Sequence, residues 1–140
     1  MFHIDEQALA VRYISLWTEP DAGLRRARLE GLWAVDGRHV LRPPQEVREI
    51  AAGLGFEHST FEAHGFDAIE TRVVRSYEKF VAGGAFTFRV REGAARLHGT
   101  VHFTWETLDL TTGAVVGGGR EVLLLDADGL ISVDYMFPGL

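Results

Sequence analysis

Polar side chains set inside apolar strand patterns are where this chain of 140 residues can do chemistry. Glu121 stands among Val115, Val116, Val122 and Leu123, and Asp134 stands between Val133 and Tyr135. Neighbours along a strand point to opposite faces, so one of Arg120 and Glu121 looks into the interior. A carboxyl held there keeps its proton more firmly than in water and becomes a candidate acid or base. The same positions also suit a cross-strand or subunit-interface ion pair for Glu121 and an edge-strand charge for Asp134. The strand from Leu97 to Thr107 has two faces, Val101, Phe103 and Trp105 on one, His98, Thr100, His102, Thr104 and Glu106 on the other. His102 is a proton carrier if its face lines a cavity, and a solvated side chain if that face is wet. His98 and His102 cannot share a metal. Four residues of strand span roughly 13 Å, whereas zinc ligands lie about 2 Å from one ion.

Tyr13 lies at the centre of an apolar helix face, either as a core aromatic with a bonded hydroxyl or as a hydroxyl donor aimed into a pocket. Trp17 and Trp33 read as core or pocket wall, and Phe103 and Trp105 as wall contributed by the sheet. His39, close to Arg42-Pro43-Pro44, is placed to reach a pocket mouth, and Arg42 with it. His58 and His64 read as solvated. The chain has no G-x-S-x-G, no glycine-rich phosphate loop and no H-E-x-x-H. Gly117-Gly118-Gly119 leads on into strand rather than into a helix, so it marks a bulge or bend and not an anion cradle.

The elements that must position these groups are helices first and long strands afterwards. Leu9, Tyr13 and Trp17 recur at helical spacing, giving a helix over residues 5–18 that Pro20 ends. Asp21 caps a second helix, whose body runs over 24–33. Val35-Asp36-Gly37 turns into a short strand over 38–41, and Pro43-Pro44 opens a third helix to about Ala52. The stretch from Gly53 to Gly65 has no clear period and reads as a mobile loop or pocket rim. Asp67-Ala-Ile-Glu70 has the form of a capping box, ahead of a helix with Ile69, Val73, Tyr77, Phe80 and Val81 on one stripe, which Gly83-Gly84 stops. Phe86, Phe88 and Val90 alternate as in a half-buried strand, and long strands follow over 98–106, 114–125 and 130–137, with Asp128-Gly129 as a hairpin turn. This is an α+β plan in which a mostly antiparallel sheet curls over N-terminal helices and leaves an internal pocket where the two diverge.

The length fits one domain spanning residues 1–140. A net charge of −6, with arginines scattered, speaks against nucleic acid as a partner. The absence of cysteine excludes disulfides, thiolate catalysis and thiolate-held zinc. No bilayer-length apolar run and no signal peptide are visible, so the expectation is a cytoplasmic protein without membrane partners.

Taken together, the chain resembles the SnoaL-like branch of the nuclear transport factor 2-like superfamily. The resemblance rests on Tyr13-Ile-Ser-Leu-Trp17, Glu19-Pro-Asp21 with Arg25-Arg26, and Leu32-Trp-Ala-Val-Asp-Gly37. It continues through Val101-His-Phe-Thr-Trp105, Gly119-Arg-Glu121, and Leu125-Asp-Ala-Asp-Gly-Leu-Ile131 running to Asp134-Tyr135 and Phe137. It covers nearly the whole chain, with Gly53 to Gly65 as an insertion. It implies a cone of helices on a strongly curved sheet around a pocket, often dimeric through the outer sheet face. Tyr13 matches the pocket tyrosine of ketosteroid isomerases, and Glu121 falls near their protonated acid and near the acid of polyketide cyclases. The isomerase base falls near Arg42, which is not a base. His102 and Asp134 fall near the two aspartates of limonene epoxide hydrolases, but Thr100 stands where their arginine would be. No such catalytic set is complete.

The reading is therefore a pocket protein that binds a small apolar or carbonyl-containing molecule without a cofactor or metal, as a homodimer. The alternative is a cofactor-free acid–base enzyme (a cyclase, an isomerase or an epoxide-hydrolase-like protein) using Tyr13, His102, Glu121 and Asp134. A dimerisation module is the third possibility.

Overall fold

Asp5 and Asp21 start the two N-terminal helices. In a computed structural model, which describes residues 4–43, 45–55 and 61–139, the Asp5 carboxylate accepts from the Ala8 amide at 3.0 Å and Asp21 from that of Leu24 at 2.8 Å. Each satisfies a backbone N–H that has no partner in the first helical turn. Helix α1 (Glu6–Thr18) buries Leu9, Ala10, Tyr13, Ile14, Leu16 and Trp17, the face that the spacing predicts. Helix α2 (Ala22–Leu32) buries Leu29 and Leu32 together with Arg25. The Arg25 guanidinium is satisfied by the carbonyls of Glu19 and Pro20 and lies 4.6 Å from the ring centre of Tyr77.

Strand β1 (Trp33–Leu41) begins directly after α2, earlier than the expected start at Arg38. The stretch expected as a turn stays extended, and a register shift between Trp33 and Arg38 takes up the extra residues. Gly37 sits in that irregularity, where a Cβ would stand 2.9 Å from the Ile131 carbonyl. Helix α3 (Gln45–Gly53) follows. The stretch expected as a loop contains strand β2 (Phe61–His64), with His64 exposed beside Glu62, while His58 lies outside the described residues.

Helix α4 (Gly65–Ser76) does not start with the expected capping box. His64 is its N-cap, and Gly65, at φ 85°, turns the chain out of β2. Asp67 lies in the first turn instead and bonds Arg26 of α2 at 2.8 Å. Ile69 and Val73 are buried as expected, and one π-helical turn, Tyr77–Val81, extends the helix and brings Phe80 edge-on to Phe88.

The remaining strands are β3 (Phe86–Val90), β4 (Ala95–Leu97), β5 (Thr100–Asp109), β6 (Val115–Leu125) and β7 (Ile131–Pro138). They join β1 and β2 in a seven-stranded sheet ordered β2-β1-β7-β6-β5-β3, with β4 also on β5. All pairs are antiparallel except β1 with β7. The three long C-terminal strands form the predicted meander. The expected irregularity comes directly before the glycine run in β6, since Thr107 pairs with Gly117 but Leu108 pairs with Val115.

Cross-strand partners share a face. The register therefore puts Phe103 with Glu121 and Met136 on one face, along with Leu123, Asp134 and His39. This is the face that packs α1, where Val101, Phe103, Leu123 and Ile131 join Tyr13, Leu16, Trp17 and Trp33 in the core. Among the described residues no helix is long and apolar enough to cross a membrane.

Candidate functional site

Between α1, α4 and the concave face lies a cavity of about 370 Å³. Tyr13, Ile14 and Trp17 line it from α1, His39 and Leu41 from β1, and Trp105, Thr107, Met136 and Pro138 from the C-terminal strands. Arg72 and Ser76 of α4, Lys79 and Phe80 of the π-helical turn, and Phe88 of β3 form the remaining wall. Most of this surface is aromatic or aliphatic, as is usual of small-molecule sites.

Two carboxyls lie behind the polar part of that wall, both fully buried. The Tyr13 hydroxyl is 2.8 Å from Glu121 Oε1 and is also hydrogen-bonded to Asp134 Oδ2. Trp105 Nε1 donates to the other oxygen of Glu121 at 2.7 Å. Gly119 allows this approach, because a Cβ there would stand 2.6 Å from Cζ2 of Trp105. A phenol has one proton and cannot donate it to both acids. The arrangement closes if Glu121 is protonated and donates to the Tyr13 oxygen while Tyr13 donates to Asp134.

Electrostatics point the same way. Burial, and then the neighbouring charge of Asp134, hold the Glu121 carboxyl well above the usual carboxylate range. Burial pushes Asp134 up to about 6, its polar neighbours Glu121 and Tyr13 and the charge of Arg72 limiting the rise. Tyr13 is raised by burial and by both acids, so its hydroxyl keeps its proton. Two acids in contact titrate as a pair, with Glu121 holding the proton longer.

His39 completes the group. Arg72 Nη1 donates to His39 Nδ1 at 2.8 Å, and also to the His39 and Phe61 carbonyls. A guanidinium only donates, so Nδ1 is the acceptor and the proton sits on Nε2. Burial, and then the charge of Arg72, lower the imidazole to about 3. The ring is therefore neutral near pH 7, and its 3.6 Å approach to Asp134 Oδ2 is not an ion pair. Among the described residues, His39 Nε2 and Asp134 Oδ1 are buried without a hydrogen-bond partner. One is a donor and the other an acceptor. Leaving either unmatched costs about 1–3 kcal/mol; His39 lines the cavity, and Asp134 lies behind the lining.

His39, Glu121 and Asp134 each offer an atom within 4.8 Å of the others, the spread of a metal site. The donor set does not fit a cation. The only free nitrogen of His39 carries a proton, Glu121 holds its own, and the guanidinium of Arg72 stands against the ring.

Tyr13, Glu121 and Asp134, chosen from the sequence as polar groups within apolar patterns, thus meet at one point. His102 does not join them. It pairs with Ala95 and Val122, is exposed, and points away from the cavity, because Phe103 and Trp105 own the inner face of β5. Arg42 is also exposed and outside the lining, held by its amide to the Met136 carbonyl. Trp17, His39 and Trp105 line the cavity, whereas Trp33 and Phe103 are packed behind it. Phe103 meets the Tyr13 ring edge-on at 5.4 Å, and Trp33 meets the His39 ring at 6.1 Å. Arg72 was not foreseen. Its one sequence signal is its place at helical spacing from Ser76, beside the buried stripe of α4.

The opposed shifts of His39 and Asp134 give a testable pH dependence. A lowered imidazole contributes stability above its unfolded value near 6.5 that is lost as pH falls toward 3. A raised carboxyl acts oppositely, and its contribution falls as pH rises from 3.8 to about 6. Replacing His39 by glutamine removes the first effect and leaves the second. The variant is expected to gain on the parent protein as pH falls from 6.5 to 4.5. Urea melts at the two pH values check this, and a constant difference would mean that His39 is not buried neutral.

No family model matches the chain, and no curated protein matches it. Solved structures do. A candidate isomerase of the SnoaL-like family from Agrobacterium tumefaciens C58 superposes with a TM-score of 0.76 at 20% identity, covering 96% of this chain and 97% of its own. A nuclear transport factor 2-like protein of unknown function from Exiguobacterium sp. 255-15 gives 0.61 at 19% identity over 91% and 94% of the two chains. A SnoaL-like protein of unknown function from Burkholderia thailandensis E264 gives 0.59 at 11% identity over 99% and 100%. Helices resting on one open, mixed sheet, matched end to end by these neighbours, establish that the chain has the cone-shaped fold of the SnoaL-like and nuclear transport factor 2-like proteins.

Proposed function

We propose that this protein is a cofactor-free acid–base enzyme that moves a proton on a small, largely apolar substrate carrying an oxygen function such as a carbonyl. The observation that carries the reading is the unmatched donor and acceptor, His39 Nε2 and Asp134 Oδ1, beside a buried proton chain of Glu121, Tyr13 and Asp134. A substrate oxygen reaching His39 Nε2–H would be polarised by a neutral donor. Asp134, with a proton affinity raised to about 6, lies behind the lining and would take the proton near neutral pH through the Tyr13 hydroxyl, which lines the cavity and is bonded to it. Tyr13 and protonated Glu121 would then stabilise and redistribute the charge that forms. The apolar wall excludes water and strengthens these interactions. That a structural neighbour is a candidate isomerase agrees with a proton shift.

The test does not require the natural substrate. Small cyclic and aromatic ketones are incubated with the protein in D2O, and exchange at the carbon next to the carbonyl is followed by proton NMR. Catalysed exchange that Asp134→Asn removes supports the reading. Ketones that raise the melting temperature without exchanging would favour a binding protein instead.

We also infer that two copies associate through the outer face of the sheet. Val115, Val116, Tyr135 and Phe137 are all exposed on β6 and β7, and Tyr135 pairs with Val122 and Val40 on that face. Twofold self-association is the commonest way to cover such a surface. Sedimentation velocity at tens of micromolar is expected to show a dimer that Tyr135→Arg dissociates, and a monomer there would refute it.

A further inference from the structure

The charged residues lining the cavity are both cationic, although the chain as a whole carries a net charge of −6. Arg72, Ser76 and Lys79 follow one another along α4 and the π-helical turn and contribute the polar part of one wall. Among the described residues no acidic side chain lines the cavity. Ion pairs among the described residues fall to Arg26, Arg28, Arg89 and Arg91, and neither Arg72 nor Lys79 takes part in one. Lys79, the sole lysine of the chain, rests its ammonium 5.2 Å from the ring centre of Phe80.

The use made of Arg72 is one-sided. Its Nη1 makes all three of its bonds among the described residues, to His39 Nδ1 and to the His39 and Phe61 carbonyls. A guanidinium has five N–H donors in a planar fork that matches a carboxylate. Burial lowers the Arg72 guanidinium from its ordinary value, and nearby Asp134 does not reach it as an ion pair. A half-buried cation beside apolar walls favours an anion, since its charge is less well solvated there than in bulk water.

From this geometry we infer that the ligand is a carboxylic acid with an apolar body, its carboxylate held by Arg72 and Lys79 with Ser76 between them and its body against Trp17, Trp105 and Phe88. The inference rests on the proposed reading and deepens it by naming the substrate class. Anchoring the carboxylate on the α4 wall leaves the rest of the molecule to extend toward Tyr13 and His39.

Two of the three tryptophans line the cavity, so intrinsic fluorescence reports on binding. The probes are octanoate, octan-1-ol and octylammonium, which share one apolar chain and differ in charge. Octanoate is expected to bind at least about tenfold more tightly than octan-1-ol, and octylammonium more weakly than either. Arg72→Gln and Lys79→Gln should each lower octanoate affinity by about three- to tenfold and leave octan-1-ol within about twofold. Arg72→Gln also removes the bonds to His39 and Phe61, so Lys79→Gln is the deciding variant. If octan-1-ol binds as tightly as octanoate, or if Lys79→Gln leaves octanoate unchanged, the inference is overturned while the cavity reading stands. If none of the three probes binds, both fall.

Discussion

Replacing Trp17 by alanine is expected to cost about 3–5 kcal/mol of stability, the range for deleting a large buried aromatic. Trp17 is 5% exposed, and its ring lies 6.1 Å from that of Tyr13 and 5.5 Å from that of His39. Its indole nitrogen has no hydrogen-bond partner among the described residues, so the loss is one of packing and not of a bond. The side chain also forms part of the cavity wall, and the variant therefore enlarges the cavity while loosening α1. Denaturant melts measure the first effect. A loss below about 1 kcal/mol would mean that α1 does not anchor the core through this face.

The second large effect concerns turnover. With any ketone found to exchange, Asp134→Asn is expected to lower the rate by about 10²–10⁴, the usual contribution of a positioned general base. The parent rate should rise with pH through about 6, where Asp134 loses its proton, and this limb should vanish in the variant. Tyr13→Phe breaks the bridge between the two acids and should also be severe. Glu121→Gln is a sharper probe. An amide can still accept from Trp105 and donate toward the Tyr13 oxygen, so it reproduces a protonated acid but not an ionised one. Folding that is little changed in Glu121→Gln would show that Glu121 holds its proton. His102→Ala, on the outer face, should leave the rate unchanged, and a large loss there would refute the placement of the site.

These residues were legible to different degrees, for physical reasons. Tyr13 and Glu121 stood out because a polar group inside an apolar period needs a partner, and that need can be read locally. The α1 face and the C-terminal meander were legible on the same ground. Alternation along β5 shows that His102 and Phe103 face opposite ways, but not which way is inward. That choice is fixed by the pairing of Phe103 with Glu121, a contact between strands. Asp67-Ala-Ile-Glu70 carries the pattern of a cap, but Gly65, through its positive φ, starts the helix earlier. His39 could be placed near a pocket but not given a state, since its neutrality comes from burial in the folded core and then from Arg72, 33 residues away. Arg72 itself carries no local mark, because an arginine beside a buried stripe is ordinary on a helix.

The parallel pairing of β1 with β7 has a consequence for the order in which the molecule can assemble. β1 lies between β2 and β7, and its partner on one side consists of Ile131–Pro138. During synthesis the two N-terminal helices and the first strand emerge long before that partner, with half of their intended surroundings still untranslated. The proton chain has the same dependence, for Tyr13 and Asp134 are 121 residues apart. Closing so long a loop is slow, because its entropy must be lost before any contact rewards it. On the ribosome the helices would therefore wait as a loose, apolar-faced hairpin, and the acid–base group would come into being only with the last strand.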